Sequence, residues 1–234
     1  MKKIGMFTIG QSPRNDIVPL MREYIHGNIE ILEMGALDDL ALEEVKELTP
    51  GPGDGVLVSQ MRDGTEVKLT KKKILSRLQR CVDTLVREGA ELIVPLCTGS
   101  FPELTSPVLM LNTGQLLRNA VLSLIDGRRL GVISPSADQV PKTPEAQKNA
   151  WGGIDVVITS ASPYTEGKRN EKEWRQAGEF LKERKVDLVY LNCMGMDRWM
   201  KRLTQEITGK PAILSNAVIA RIIDEVVDQG ALIE

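Results

Sequence analysis

Two cysteines stand at related points of the chain, in Leu96-Cys97-Thr98-Gly99 and in Leu191-Asn192-Cys193-Met194-Gly195. Each follows an apolar run, Leu92–Leu96 and Leu188–Leu191, that reads as a strand buried on both faces, and each has a glycine two residues further on. Ligands of open α/β sheets bind outside the carboxyl ends of the strands. Backbone N–H groups and a helix N-terminus at such a place lower a thiol pKa and bind anions. If the two runs belong to facing halves, the thiols line one cleft from opposite sides. One thiolate then removes a proton from carbon and the opposing thiol returns one. That chemistry requires sulfurs roughly 6–9 Å apart with the substrate carbon between them.

Other chemistry finds less material. Cys81 falls inside an amphipathic helix beside Val82, a core or boundary position. His26 is the single histidine and stands before Gly27, where it caps a predicted helix end at the surface. A Ser-His-Asp or Cys-His mechanism therefore lacks its base. Three cysteines without a CxxC spacing suggest neither a disulfide framework nor a zinc site, so no metal and no cofactor is expected.

The segment Thr8-Ile9-Gly10-Gln11-Ser12-Pro13-Arg14 is a candidate ligand loop. Gly10 allows close backbone approach to a ligand, Ser12 is a candidate N-cap, and Pro13 suits a first helical turn. Arg14 is a partner for a carboxylate or phosphate. Neither a GxxxxGK[ST] nor a GxGxxG pattern is present, which leaves nucleotide binding by those routes unsupported. Ser59, Arg62, Ser134, Ser136, Ser160 and Asn216 lie at predicted strand ends or in the following loops, where hydroxyl and amide groups hold small carboxylates. The predicted contact set is Gly10, Gln11, Ser12, Arg14, Ser59, Arg62, Thr98, Gly99, Ser134, Ser136, Asn192, Met194 and Gly195, around catalytic Cys97 and Cys193.

These residues must be positioned by an α/β framework. Strands are predicted at Ile4–Ile9, Ile29–Met34, Gly55–Gln60, Thr65–Leu69, Leu92–Leu96, Val108–Leu111, Leu130–Ser134, Asp155–Thr159, Leu188–Leu191 and Ala212–Leu214. Helices are predicted at Pro13–Ile25, Lys71–Glu88, Gly114–Ile125, Pro144–Trp151, Glu171–Arg184, Met196–Thr208 and Asn216–Gln229. Asp63-Gly64 signals a hairpin turn. The alternation implies layers around mainly parallel strands.

An internal repeat runs through this order. Gly5–Pro13 is echoed by Gly131–Ser136, Leu92–Gly99 by Leu188–Gly195, and Pro107–Asn112 by Pro211–Asn216. Two related halves follow: residues 1–112 with 215–234 as a first lobe carrying the 55–69 hairpin, and 113–214 as the second.

Composition sets the outer bounds. The 234 residues carry 30 Lys+Arg against 32 Asp+Glu, a net charge of −2, which argues against a nucleic-acid binder. No apolar run approaches the roughly 20 residues of a membrane span, and the first residues do not form a signal-peptide core. A cytoplasmic chain with no membrane partner is the expectation.

The motifs Gly5-Met6-Phe7-Thr8-Ile9-Gly10-Gln11-Ser12-Pro13-Arg14-Asn15-Asp16, Leu96-Cys97-Thr98-Gly99 and Leu111-Asn112-Thr113-Gly114-Gln115-Leu116 closely resemble the AroM family, essentially end to end. That family looks like a branch of the aspartate/glutamate racemase superfamily. The resemblance implies two pseudo-symmetric Rossmann-like lobes with a cleft between them and one cysteine per lobe at the substrate. Cys97 and Cys193 are the matching positions. Met194 departs from the Gly-Cys-Thr pattern common in the second motif of the superfamily. The implied activity is a cofactor-independent racemase or isomerase acting on a small carboxylate. A single-cysteine lyase or decarboxylase, using Cys193, and a non-catalytic small-ligand sensor are the alternatives. A homodimer is implied by the same analogy.

Overall fold

A computed structural model of the chain describes residues 2–164 and 170–228. The elements run β1 (Lys2–Thr8), α1 (Val18–Arg22), β2 (Ile29–Gly35), α2 (Leu42–Val45), β3 (Leu57–Gln60), β4 (Glu66–Leu69), α3 (Lys71–Arg87), β5 (Leu92–Pro95), β6 (Leu109–Met110) and α4 (Thr113–Ile125). They continue with β7 (Leu130–Ser134), α5 (Pro144–Ala150), β8 (Val156–Ser160), α6 (Glu171–Glu183), β9 (Leu188–Leu191), α7 (Arg198–Thr208), β10 (Ala212–Leu214) and α8 (Ser215–Val227).

Two parallel four-stranded sheets carry the fold, in the orders β2-β1-β5-β6 and β8-β7-β9-β10. Position for position, β1 corresponds to β7, β5 to β9 and β6 to β10. These are the three correspondences of the internal repeat. The two lobes are thus built on one topology, as the α/β reading anticipates.

Period-two alternation sorts the strand residues between layers. Ile4 and Met6 of β1, with Leu130 and Val132 of β7, face a central layer shared with α4 and α8. Phe7 and Ile93 face outward onto Ile74, Leu78 and Leu85 of α3. Ile133 and Leu191 face outward onto Trp174 and Leu181 of α6 and Met200 of α7. Leu92–Leu96 and Leu188–Leu191 read as unbroken apolar runs because their sheets are covered on both faces. Among the described residues no helix is long and apolar enough to cross a membrane.

Gly5 and Gly131 hold equivalent strand positions for one physical reason. A Cβ on Gly5 would lie 2.9 Å from Leu85 Cβ and 3.0 Å from Ala90 Cβ. A Cβ on Gly131 would lie 3.2 Å from Leu181 Cδ1 and Val186 Cγ1. Glycine lets the covering helix approach its strand. Gly5→Ala is expected to cost about 1–3 kcal/mol through overpacking against rigid Cβ atoms, read as a lower urea midpoint at unchanged slope.

Two expectations require correction here. The helix predicted from Pro13 begins only at Val18. Ser12 caps nothing: its N–H and hydroxyl both donate to Asp38, at 2.6 and 2.7 Å, and the Arg14 N–H donates to Glu33 at 2.7 Å. Side chains of β2 and of the loop after it thus satisfy these donors, and the Ser12–Pro13 peptide is cis. His26 is exposed, and its ring lies 3.0 Å from Asp224 of α8, which also accepts the His26 N–H. It ties two elements together and does not cap α1. Gln229, the predicted end of the last helix, lies outside the described residues.

Candidate active site

The site forms where β5 and β9 end. Cys97 and Cys193 lie just beyond these equivalent strands and together line a cavity of about 200 Å³. The β3–β4 hairpin, an insertion in the first half, covers it. Leu57, Val58 and Ser59 of the hairpin face the cavity, and Val58 packs into the core of the second lobe. Lys68 on the hairpin pairs with Asp138, and Gln139 Nε2 donates to the Val56 carbonyl at 2.9 Å, fastening the hairpin to the second lobe.

Equivalent helix starts hold the two thiol loops. At α4, Thr113 Oγ1 donates to the Cys97 carbonyl at 2.7 Å. At α8, Asn216 Nδ2 donates to the Met194 and Met196 carbonyls, each at 2.8 Å, while Ser215 Oγ donates to the Leu191 carbonyl. Asn216 acts on the site by shaping this turn and does not line the cavity. Thr98 Oγ1 donates across the cleft to the Asn192 carbonyl at 3.4 Å.

The environments of the two sulfurs differ. Among the described residues Cys97 accepts from backbone N–H groups only, from Gly99 at 3.3 Å and from Thr98. Burial pushes its thiol up to about 11, overcoming those N–H groups and the charge of Arg14. Cys193 Sγ lies 3.5 Å from the Tyr164 hydroxyl. Burial raises this thiol as well, against the lowering effects of Tyr164, the Gly195 N–H and Arg14. The loop amides therefore do not make these cysteines thiolates at neutral pH, contrary to what strand-end placement suggests. Desolvation outweighs the local donors.

Of the predicted contact residues, Arg14, Ser59, Thr98, Gly99, Ser134, Asn192 and Met194 line the cavity. Gly10, Gln11, Ser12, Arg62, Ser136 and Gly195 do not. A Cβ on Gly10 would overlap Ser59 Oγ and the Gln60 carbonyl, so this glycine admits the hairpin and not a ligand. Gln11 bridges Leu37, Leu40 and the Arg62 N–H. Arg62 donates to the Ser12 carbonyl and pairs with Asp38. Ser136 accepts from Asp138 N–H at the start of a short 3-10 turn. Gly195 leaves room for Tyr164, which a Cβ there would overlap. These residues build the walls from behind.

Arg14 is more unusual. It is 2% exposed, and all five of its N–H donors have protein acceptors. Two reach Asp16 at 2.8 and 2.7 Å, and the others reach Thr8 at 2.8 Å and Ser59 and Tyr164 at 3.1 Å. Burial works against its charge, but Tyr164 and Asp16 more than offset that. Arg14 therefore arranges residues that line the cavity, and has no donor left for the carboxylate that the sequence assigned to it. By contrast, the Ser134 hydroxyl faces the cavity without a hydrogen-bond partner among the described residues.

Sequence reasoning does not find Tyr164, Gln139, Pro135 or the apolar walls Ile9, Leu57, Val58 and Leu96. Tyr164 follows β8, and its place after a strand end is the one signal available. A second hollow of about 460 Å³ shares Thr98 and Asn192 with the first and has Arg118, Trp151 and Tyr190 in its wall.

Two parallel lobes related by one topology, with a cysteine at each facing strand end, define an aspartate/glutamate racemase-like fold. An unliganded arylmalonate decarboxylase is similar at a TM-score of 0.56 and 14% identity, over 99% of this chain and 94% of that one. Allantoin racemase from Klebsiella pneumoniae is similar at 0.59 and 14% identity, over 97% and 88%. Glutamate racemase from Francisella tularensis, in complex with D-glutamate, is similar at 0.61 and 12% identity, over 97% and 81%. The AroM protein family model matches residues 4–227, and the chain belongs to that family. No curated protein matches the sequence.

Proposed function

We propose that this protein is a cofactor-independent racemase or isomerase of a small carboxylate with an acidic C–H bond beside the carboxyl group. The observation that carries the reading is the placement of Cys97 and Cys193 on one small cavity from opposite lobes. The Cys193 thiolate takes the proton from carbon. The electron pair left on carbon delocalises into the carboxylate, and the Cys97 thiol delivers its proton to the opposite face. Cys193 ends as a thiol and Cys97 as a thiolate, so charge is conserved. Exchange with water resets the pair, and the reverse reaction uses the same groups with roles exchanged. Ser59, Ser134 and Asn192 provide the hydroxyl and amide groups that hold the carboxylate. The similarity to racemases and to a decarboxylase supports the reading through the fold they share.

The test is incorporation of solvent deuterium beside the carboxyl of a panel of hydroxy, amino and aryl carboxylates, followed by mass spectrometry and chiral chromatography. Because burial keeps both thiols protonated at neutral pH, the reactive thiolate is a minor species there. Exchange is therefore expected to rise about tenfold per unit between pH 7 and pH 9, while Cys97 remains a thiol. A flat profile across that range would contradict a thiolate base.

A further inference from the structure

The two sulfurs occupy equivalent strand ends yet are not chemically equivalent. Tyr164 Oη accepts from Arg14 Nη2 at 3.1 Å, which leaves the phenol its own proton to donate. Among the described residues the sulfur of Cys193 is the acceptor within reach, at 3.5 Å. A thiolate can only accept, so ionisation of Cys193 fixes the direction of this bond. Arg14 is itself held by the bidentate contact to Asp16, and its guanidinium carbon lies 5.6 Å from the Tyr164 ring centroid. Gly195 leaves the space in which the Tyr164 ring lies. Among the described residues Cys97 has no side-chain donor of this kind and accepts from the backbone N–H groups of Gly99 and Thr98.

We propose that Tyr164 is the hydrogen-bond donor that stabilises the Cys193 thiolate, that Arg14 and Asp16 are the positioning residues behind it, and that Cys193 is consequently the sulfur that ionises first. The assignment of Cys193 as base in the forward direction rests on the racemase reading; the Asp16–Arg14–Tyr164–Cys193 chain does not. Tyr164 and Tyr190 are neutral phenols near the sulfur, raised by burial, and Arg14, Asp16 and Cys97 are the other titratable groups around it among the described residues.

The experiment compares wild type, Tyr164→Phe and Gly195→Ala by alkylation with iodoacetamide, a neutral reagent, between pH 7 and pH 10. Each cysteine is followed separately by peptide mass spectrometry on protein verified as folded by circular dichroism. Phenylalanine keeps the ring over Arg14 and removes the hydroxyl, which is both the donor toward Cys193 and the acceptor of one Arg14 N–H. A hydrogen bond to a charged acceptor is strong enough to move an ionisation by about one unit or more. Alkylation of Cys193 at pH 8 is therefore expected to fall about tenfold or more in Tyr164→Phe, with its profile displaced to higher pH and Cys97 unchanged. Gly195→Ala, which displaces the Tyr164 ring, is expected to move Cys193 in the same sense. An unmoved Cys193 profile in Tyr164→Phe overturns the inference, and so does an equal shift at Cys97. Deuterium exchange on the same wild-type sample separates the two claims. If exchange is absent while the Cys193 profile shifts as expected, the racemase reading fails and the hydrogen-bond chain stands.

Discussion

Cys193→Ala is expected to lower deuterium exchange into the enantiomer whose C–H faces Cys193 by roughly a hundredfold to ten-thousandfold, the range that a positioned proton-transfer group contributes. The loss arises in the chemical step, because alanine removes the sulfur and leaves the Asn216 bonds to the Met194 and Met196 carbonyls in place. Cys97→Ala is expected to differ in kind. Inversion is lost by a similar factor, because no acid remains on the second face. Cys193 can still remove and return a proton on its own face, so one enantiomer exchanges its proton with retention. Chiral analysis of the exchanged product separates these outcomes. Full turnover of a carboxylate by Cys97→Ala would favour a single-thiol lyase or decarboxylase. Ligand binding without exchange in wild type, insensitive to either substitution, would favour a non-catalytic sensor. Cys81→Ala serves as the control. Cys81 is packed in the α3 core, where burial pushes its thiol up to about 12, and it lies away from the cavity.

Arg14→Met is expected to reduce stability by about 3 kcal/mol, measured by urea unfolding. The substitution leaves Asp16 without its bidentate partner and removes donors from Thr8, Ser59 and Tyr164. Breaking a buried ion pair on one side costs about 3–5 kcal/mol, because a charge is left without compensation. Asp16 is 26% exposed and regains some water, which places the expectation at the lower end. Arg175→Met makes the contrast. Its partner Glu171 lies one helical turn away, and the two side chains are 51% and 53% exposed. An exposed pair of this kind contributes about 0.3–0.5 kcal/mol. Similar losses from the two substitutions would show that Arg14 is not the organising ion of the site. Arg14→Lys is expected to fall between, since an ammonium has three donors for acceptors that a planar guanidinium met with five.

Much of the framework was legible from residue patterns because it depends on local and periodic physics. Leu130–Ser134, Leu188–Leu191 and Ala212–Leu214 are strands with the predicted bounds. Burial on both faces selects uninterrupted apolar runs at such places. The α3 helix ends where Gly89 takes a positive φ of 91°, a conformation that glycine adopts without a side-chain clash. The internal repeat anticipated the matching strand orders of the two sheets, and it brought Cys97 and Cys193 together as candidates before any geometry was available.

Folding sets how groups distant in sequence share donors and space. Arg14 looked like a ligand arginine because its acceptors Ser59 and Tyr164 are 45 and 150 residues away, and only folding brings them to it. Gly10 looked like a ligand-approach glycine, but the backbone that approaches it is the hairpin. Tyr164 carried no motif at all, since a phenol after a strand becomes functional only when a sulfur from another strand end meets it. The thiol acidities reversed expectation for the same reason: desolvation depends on the walls that surround a group, and those walls come from both lobes and the hairpin together. Residue order alone specifies which residues carry sulfur, charge and hydroxyl groups and which segments become strands and helices. Long-range packing decided which of those groups are already satisfied by the protein and which still face the cavity.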